Sequence, residues 1–101
     1  MPKLKEVCRH VESKVAGPFW VTIDVRFDGQ ENFDRYVDSP ALSSESIGRV
    51  YGVDPGTVSF YPIPKLGILK ISYPRRTPAG GIEERDLHSG QQYAYLLDLE
   101  V

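Results

Sequence analysis

The sequence has little cysteine, no long apolar run and no surplus of positive charge. Cys8 is the only cysteine among 101 residues, which excludes an intramolecular disulfide and any CxxC zinc or redox site. No apolar stretch approaches the ~20 residues needed to cross a bilayer. Lys3, Lys5, Glu6 and Arg9 interrupt the apolar positions near the N-terminus, where a secretory signal requires a continuous run. We therefore expect a cytoplasmic protein that has no membrane partner.

The charge balance argues against nucleic acid as a partner. The net charge is -2 and the isoelectric point is about 5.6, whereas nucleic-acid-binding domains carry a basic surplus or patch. Some RNA-binding domains stack bases on aromatic residues of a four-stranded sheet, and this chain has aromatic residues on its predicted strands at Trp20, Phe60, Tyr61 and Tyr73. The Lys/Arg-Gly-Phe/Tyr signature of those domains is absent. The net charge does not exclude a small anionic ligand, because binding one needs only a local cluster of positive charge.

The length and composition fit one globular domain spanning residues 1–101. Hydrophobic residues make up 41% and charged residues 26%, which is close to the globular average. A chain of this size buries one core, and the sequence has no internal repeat, low-complexity tract or linker.

Five apolar residues near the N-terminus fall at helical spacing, namely Leu4, Val7, Cys8, Val11 and Val15. They occupy an arc of about 100°, which predicts a surface helix with one buried stripe, ended by Ala16-Gly17-Pro18. Cys8 on this stripe is interpreted as a small core residue, because a catalytic thiol lacks a basic neighbour there. His10 is expected to pair with Glu6 one turn earlier, and two candidate ligands are too few for a metal site.

The remaining elements follow from alternation, turns and caps. The best-specified helix has Ser43 as its N-cap, Leu42 and Ile47 as a hydrophobic staple and Gly52 at its end. Period-two alternation predicts strands before and after it. The predicted strands are 19–27, 57–63, 68–73 and 97–101, with a short helix around 33–37.

These elements predict an α+β fold, a ferredoxin-like sandwich with a four-stranded, mainly antiparallel sheet and helices on one face. The predicted order is permuted: helix, strand, helix, helix, strand, strand, loop, strand. A regular sandwich has a helix before its last strand, but residues 75–90 are poor helix material. The N-terminal helix is expected to fill that place, and the long loop is free for other work.

The long loop contains two candidate anion-binding features. Arg75 and Arg76 offer planar forks for a carboxylate or phosphate, and Gly80 with Gly81 allows backbone N–H groups to form an anion nest. Together they suit an acidic ligand or a coenzyme A phosphate. The simpler interpretation is that the arginines are solvated beside an exposed loop.

The second half of the loop carries further polar candidates. Asp86 and His88 are two residues apart and can orient one another for proton transfer, but a lone histidine near an acid is usually a solvated side chain on the surface. Ser89 follows His88, but no Gly-x-Ser-x-Gly elbow is present. Gln91 and Gln92 suit contact with a ligand or partner, or satisfy amides of the loop itself. We assign no catalytic residue, metal ligand or cofactor.

Trp20 lies on the nominally polar face of the first predicted strand. Aromatic residues are enriched at subunit interfaces, so we predict that Trp20 contributes to an interface. Packing against the N-terminal helix is the alternative, if the strand is covered on both faces.

Several short motifs, in order, carry a resemblance to a known family: Ala16-Gly17-Pro18-Phe19, Phe27-Asp28, Tyr51-Gly52-Val53, Pro74-Arg75, Gly90-Gln91-Gln92 and Leu96-Leu97-Asp98. Over nearly its whole length the chain resembles a microbial family of about 100 residues catalogued as a domain of unknown function. It also resembles the small C-terminal ferredoxin-fold domain of proteins similar to acyclic terpene utilisation protein A (AtuA). A histidine often follows the two glutamines in that pattern, and Tyr93 stands there in this chain.

The resemblance implies the ferredoxin-like fold and a larger AtuA-like partner, but no reaction. Our leading hypothesis is a non-catalytic accessory or interaction module that oligomerises or docks on such a partner, with the long loop contributing to the contact. The alternative is a small enzyme or binding protein for acyl-CoA or carboxylate ligands that uses Arg75, Arg76 and His88.

Overall fold

The computed structural model describes residues 1–17, 19–74 and 92–101. Three short helices and two hairpins form most of this part, and four 3-10 turns connect or follow them. The helices and strands, in chain order, are α1 (Leu4–Val7), β1 (Cys8–Val15), β2 (Trp20–Phe27), α2 (Gln30–Tyr36), α3 (Ser44–Tyr51), β3 (Ser59–Ile63) and β4 (Ile68–Pro74). The 3-10 turns are Pro40–Leu42, Pro55–Thr57, Pro64–Leu66 and Gln92–Leu96.

The four strands form one antiparallel sheet in the order β1-β2-β4-β3. The connection from β2 to β3 runs through α2 and α3 and crosses over β4. This order is that of a β-α-β-β-α-β sandwich whose last strand has moved to the start of the chain. The predicted α+β class and four-stranded antiparallel sheet are confirmed, and the topology is consistent with a ferredoxin-like sandwich.

One face of the sheet, the inner face, packs against the helices and forms the core. Alternate residues of β2 and β4 point into it, and Ile23 and Ile71, which face each other across the two strands, are fully buried. Ile47 of α3 and Leu4 of α1 are also fully buried, and the ring of Phe33 on α2 meets Phe27 edge-on at 5.9 Å. Burying each such side chain contributes about 1.5–3 kcal/mol, so this layer is the main source of stability.

Helix α3 begins and ends as its sequence predicts. The Ser43 side chain accepts a hydrogen bond from the Ser46 N–H at 3.3 Å, which satisfies one of the unpaired amides of the first turn. Gly52 ends the helix in the left-handed conformation, with φ of 68°. Tyr51 in the last turn stacks on Tyr73 of β4 with ring centres 4.3 Å apart, and so fixes α3 to the sheet.

The predicted N-terminal helix over residues 4–15 is wrong beyond its first turn. Helix α1 ends at Val7, and Cys8–Val15 form the edge strand β1, which pairs with β2. Ala16 and Gly17 therefore lie in a hairpin turn, where the Ala16 N–H donates to the Trp20 carbonyl at 2.9 Å. Cys8 is partly buried against the core, as expected of a small core residue, but from a strand.

Two other local predictions are also corrected. His10 contacts Glu12, with Nε2 and Oε2 3.4 Å apart, because both side chains lie on the same exposed face of β1. Glu6 instead accepts a hydrogen bond from the Lys3 N–H. The predicted strand over 97–101 is reduced to one isolated antiparallel bridge between Lys3 and Glu100.

Candidate functional site

The face of the sheet opposite the helices, which we call the outer face, is the most distinctive surface in the described part of the chain. Its residues alternate with those of the inner face and lie in four cross-strand rows. The Trp20–Pro74 pair forms one end row, and His10, Arg26, Ile68 and Ile63 form the other. The rows between them are Lys14, Thr22, Ser72 and Ser59, and then Glu12, Asp24, Lys70 and Tyr61.

Large side chains stand on the outer face without being buried. The relative exposure of Trp20 is 42% and that of Tyr61 is 55%. Trp20 lies directly across from Pro74, and Ile63 lies across from Ile68 at the opposite end. Ile68 is only 8% exposed, so the exposed large side chains of this face are Trp20 on the central strand β2 and Tyr61 on the edge strand β3, two rows apart.

An ion pair occupies the centre of the outer face. Lys70 Nζ and Asp24 Oδ1 are 3.8 Å apart across β2 and β4. The Asp24 side chain as a whole is 21% exposed, but its Oδ1 atom is buried and has no hydrogen-bond donor in the part of the chain that the structure describes. The distance to Lys70 allows Coulombic attraction but exceeds a hydrogen bond, so this oxygen still has capacity to accept one.

The two edges of the sheet are less suited to pairing with another strand. The edge strand β3 contains Pro62, which has no amide hydrogen to offer to a neighbouring strand. The other edge strand, β1, carries charged exposed side chains at Arg9, Glu12 and Lys14. Both edges are therefore poorly suited to the addition of a further strand.

A groove on the helix side has a cavity volume of about 520 Å³ and lies between α2, the start of α3 and β3. Phe33, Leu42 and Phe60 contribute apolar walls, and Asp38 and Ser43 line its rim. The residues that the structure places around it include no lysine, arginine or histidine, so an acidic ligand would find no opposite charge. The described lining of the groove therefore supplies no positive charge for an acyl-CoA or carboxylate ligand.

The hollow beside Cys8 does not form a nucleophilic site. Burial raises the pKa of the Cys8 thiol from its ordinary 9.0 to about 12, so the thiol keeps its proton near neutral pH. The neighbouring cations have partners: Lys5 Nζ lies 3.1 Å from Asp98, and an Arg9 nitrogen lies 3.2 Å from Asp28. Within residues 1–17, 19–74 and 92–101, no three His, Cys, Asp or Glu side chains are grouped so as to hold a metal ion.

Most of the predicted loop site lies outside the described residues. Gln92 begins the last 3-10 turn, Gln92–Leu96, and Trp20 lies on the exposed outer face. The predicted contact residues outside the described ranges are Arg75, Arg76, Gly80, Gly81, Asp86, His88 and Gln91.

Sequence reasoning placed Trp20 on the correct face but did not single out Asp24 or Lys70. The alternation in β2 already puts Asp24 on the same face as Trp20, and the alternation in β4 puts Lys70 opposite its apolar residues. What joins the two charges is the cross-strand register, which sequence alternation does not specify.

The fold and the outer face define a small α+β domain with one covered and one exposed sheet face. A family model described as "Domain of unknown function (DUF4387)" matches residues 4–100, and the chain belongs to this family. No curated protein and no solved structure matches the chain. In the part of the chain that the structure describes, no helix combines the length and apolar character that spanning a membrane requires.

Proposed function

We propose that residues 1–101 act as a non-catalytic accessory module in the cytoplasm, which oligomerises or docks on a larger AtuA-like partner through its outer face. The observation that carries this proposal is the exposure of Trp20 and Tyr61 on that face. Aromatic side chains bury 150–250 Å² each when covered, and they are enriched in the centres of protein interfaces.

The position of Trp20 adds to this argument. It is the first residue of β2, a central strand, and it pairs with Pro74 at the end of β4, from which the chain continues towards the predicted contact loop. Trp20 thus lies beside the residue that directly precedes the predicted contact residues Arg75 and Arg76 in the sequence. The AtuA-like identity of the larger partner rests on the sequence resemblance described above.

The alternative, an enzyme or binding protein for acyl-CoA or carboxylates, draws no support from the described residues. Its proposed ligands are acidic, and the groove of about 520 Å³ offers them Asp38 and serine hydroxyls. The thiol beside the basic residues Lys5 and Arg9 is protonated at neutral pH because its pKa is raised to about 12.

The test is the mass of the complex in solution, measured by light scattering for the chain alone and after co-expression with an AtuA-like protein from the same genome. We expect a mass above the 11.4 kDa of one chain in at least one of the two samples. Trp20→Glu should abolish the association, since a charge would then be buried against the partner. Leu66→Glu is the matched control, because Leu66 is 56% exposed but lies in the turn between β3 and β4. An 11.4 kDa monomer that ignores the AtuA-like protein contradicts the proposal.

A further inference from the structure

We propose that the outer face binds a second copy of this chain, about a two-fold axis parallel to the strands, so that Asp24 of each copy lies over Lys70 of the other. This inference rests on the proposed function and names its partner. It follows from the order of the strands, the sign of the central charges and the exposure of the Asp24 carboxylate to any partner that covers this face.

The symmetry follows from the order of the strands. A two-fold axis that lies between two stacked sheets and runs along the strands keeps each cross-strand row in place. It exchanges β2 with β4 and β1 with β3 across the interface. A residue of β2 then faces the residue of the second copy that lies in the same row on β4, and a residue of β1 faces the one on β3. Asp24 therefore faces Lys70 of the second copy, and Trp20 faces Pro74 of the second copy.

The central charges select this axis. A two-fold axis perpendicular to the strands through the same row would place the two Asp24 side chains over each other and the two Lys70 side chains over each other. Like charges would then meet in a contact that contains little water. The axis parallel to the strands instead brings the two Asp24 and two Lys70 side chains together so that each carboxylate faces an ammonium group of the other copy. The central pair is thus self-complementary, as a contact between two identical surfaces requires. The charged residues Arg26, Glu12 and Lys14 face the neutral side chains of Ile68, Tyr61 and Ser59 of the second copy.

The carboxylate of Asp24 gives the second reason. Its Oδ1 is buried within its own chain, 3.8 Å from the nitrogen of Lys70, so the exposed part of the side chain does not include this atom. Covering the face would remove water from the second carboxylate oxygen too, and an unpaired buried carboxylate is costly. Lys70 of the second copy brings three N–H donors to that second oxygen.

The size of the face fits a weak, reversible dimer. The strands β1, β2, β4 and β3 have 8, 8, 7 and 5 residues, so at about 3.3 Å per residue and about 4.8 Å between strands the face covers roughly 450 Å² in projection per copy. Two such faces give about 900 Å², which lies in the range of weak, transient contacts. We therefore expect a dimer that dissociates on dilution.

The test exchanges the two central charges. Asp24→Lys and Lys70→Asp should each raise the dimer dissociation constant by at least about a hundredfold, because both symmetric contacts become repulsive. An equimolar mixture of the two variants should dimerise again, since each of the two contacts then joins a lysine of one variant to an aspartate of the other. Repulsion inside one chain is not relieved by mixing, so recovery reports the contact between chains. The measurement is sedimentation equilibrium over a concentration series, with circular dichroism to confirm folding.

Milder variants keep the test decisive if a charge reversal prevents folding. Asp24→Asn and Lys70→Gln remove one charge each and should weaken the dimer about tenfold. The double variant D24K/K70D, which restores opposite charges within and between chains, should dimerise like the unmodified protein.

The outcomes separate this inference from the proposed function. A dimer that Trp20→Glu dissociates but that mixing of the charge variants does not restore overturns the arrangement and leaves the outer face as a contact surface. A chain that is monomeric alone but binds an AtuA-like protein through Trp20 overturns the second copy as partner. A chain that does neither overturns both proposals.

Discussion

At the scale of single residues, Cys8 shows how burial controls reactivity. Cys8 is the first residue of β1, and its side chain lies near Val11 and Leu97 and packs partly against the core. This environment disfavours the thiolate and raises the pKa of the thiol to about 12. Below pH 9 the thiol is protonated in both the folded and the unfolded chain, so it contributes no pH dependence there. Stability falls as the pH rises from 9 towards 12, because only the unfolded chain then loses the proton.

We predict that Cys8 reacts slowly with iodoacetamide in the folded protein. At pH 8 the alkylation rate should be at least about a hundredfold lower than in the same chain unfolded in urea, since only the thiolate is nucleophilic. Mass spectrometry of quenched samples gives both rates. Equal rates in the two states would show that the thiol is neither buried nor shifted in pKa.

At the scale of secondary-structure elements, helix α3 contains a glycine for reasons of space. A Cβ atom built on Gly48 would lie 2.7 Å from the Val53 carbonyl oxygen and 3.1 Å from the Pro55 ring. The first turn after the helix therefore packs directly on the Gly48 backbone. An alanine at this position cannot be accommodated unless the Pro55–Thr57 turn moves.

We predict that Gly48→Ala destabilises the protein by about 1–3 kcal/mol, although the same change in an open helix stabilises it by about 0.5–1 kcal/mol. Arg49→Ala is the control, because Arg49 is exposed and its replacement should change stability by less than about 0.5 kcal/mol. Urea denaturation measures both values. A Gly48→Ala variant as stable as the unmodified protein would mean that the helix and the turn do not approach this closely.

The secondary-structure elements also show which sequence signals are sufficient to predict a helix or a strand. Helix α3 was predicted because its cap, its staple and its final glycine are all local. Strand β1 was predicted as a helix because Val11 and Val15, four residues apart, lie on one face in either structure. The residue between them that reveals the strand is Ser13, which is buried although polar. Its hydroxyl accepts a hydrogen bond from the N–H of Tyr93, 80 residues away, and no local pattern indicates such a partner.

The same limit applies to the candidate site. Alternation along β2 placed Trp20 on the outer face, and the structure agrees. The pairing of Asp24 with Lys70 depends on the register between β2 and β4, which are 46 residues apart at these positions. Register is set by tertiary packing, so the centre of the face was not predictable although its tryptophan was.

At the scale of the whole molecule, the first and last residues of the described fold are joined. The Leu4 N–H donates to the Leu99 carbonyl at 2.7 Å, and the Lys5 N–H donates to the Leu97 carbonyl at 3.1 Å. Val101 is buried and its N–H donates to the Pro2 carbonyl at 2.9 Å. Residues 97–101 thus supply the partners for the start of α1.

We predict that removal of residues 97–101 strongly destabilises the domain. The amides of Leu4 and Lys5 would lose their acceptors, at about 1 kcal/mol or more each, and the buried Leu4 side chain would become partly exposed. For a domain with a total stability of about 5–15 kcal/mol this should lower the thermal midpoint by many degrees. Asp98→Asn is the control, since it removes only exposed ion pairs with Lys3 and Lys5 and should leave the midpoint nearly unchanged. An unchanged midpoint after truncation would contradict the role assigned to these hydrogen bonds.

The adjacency of Pro2 and Val101 has a consequence for topology. A short peptide link between them would close the backbone into a ring without moving either strand edge. Cutting that ring in the hairpin between β1 and β2 would give a chain that starts with β2 and finishes with β1, the regular order of a β-α-β-β-α-β sandwich. The same fold would then be reached from both chain orders, and comparing their folding rates would measure what the permutation itself costs.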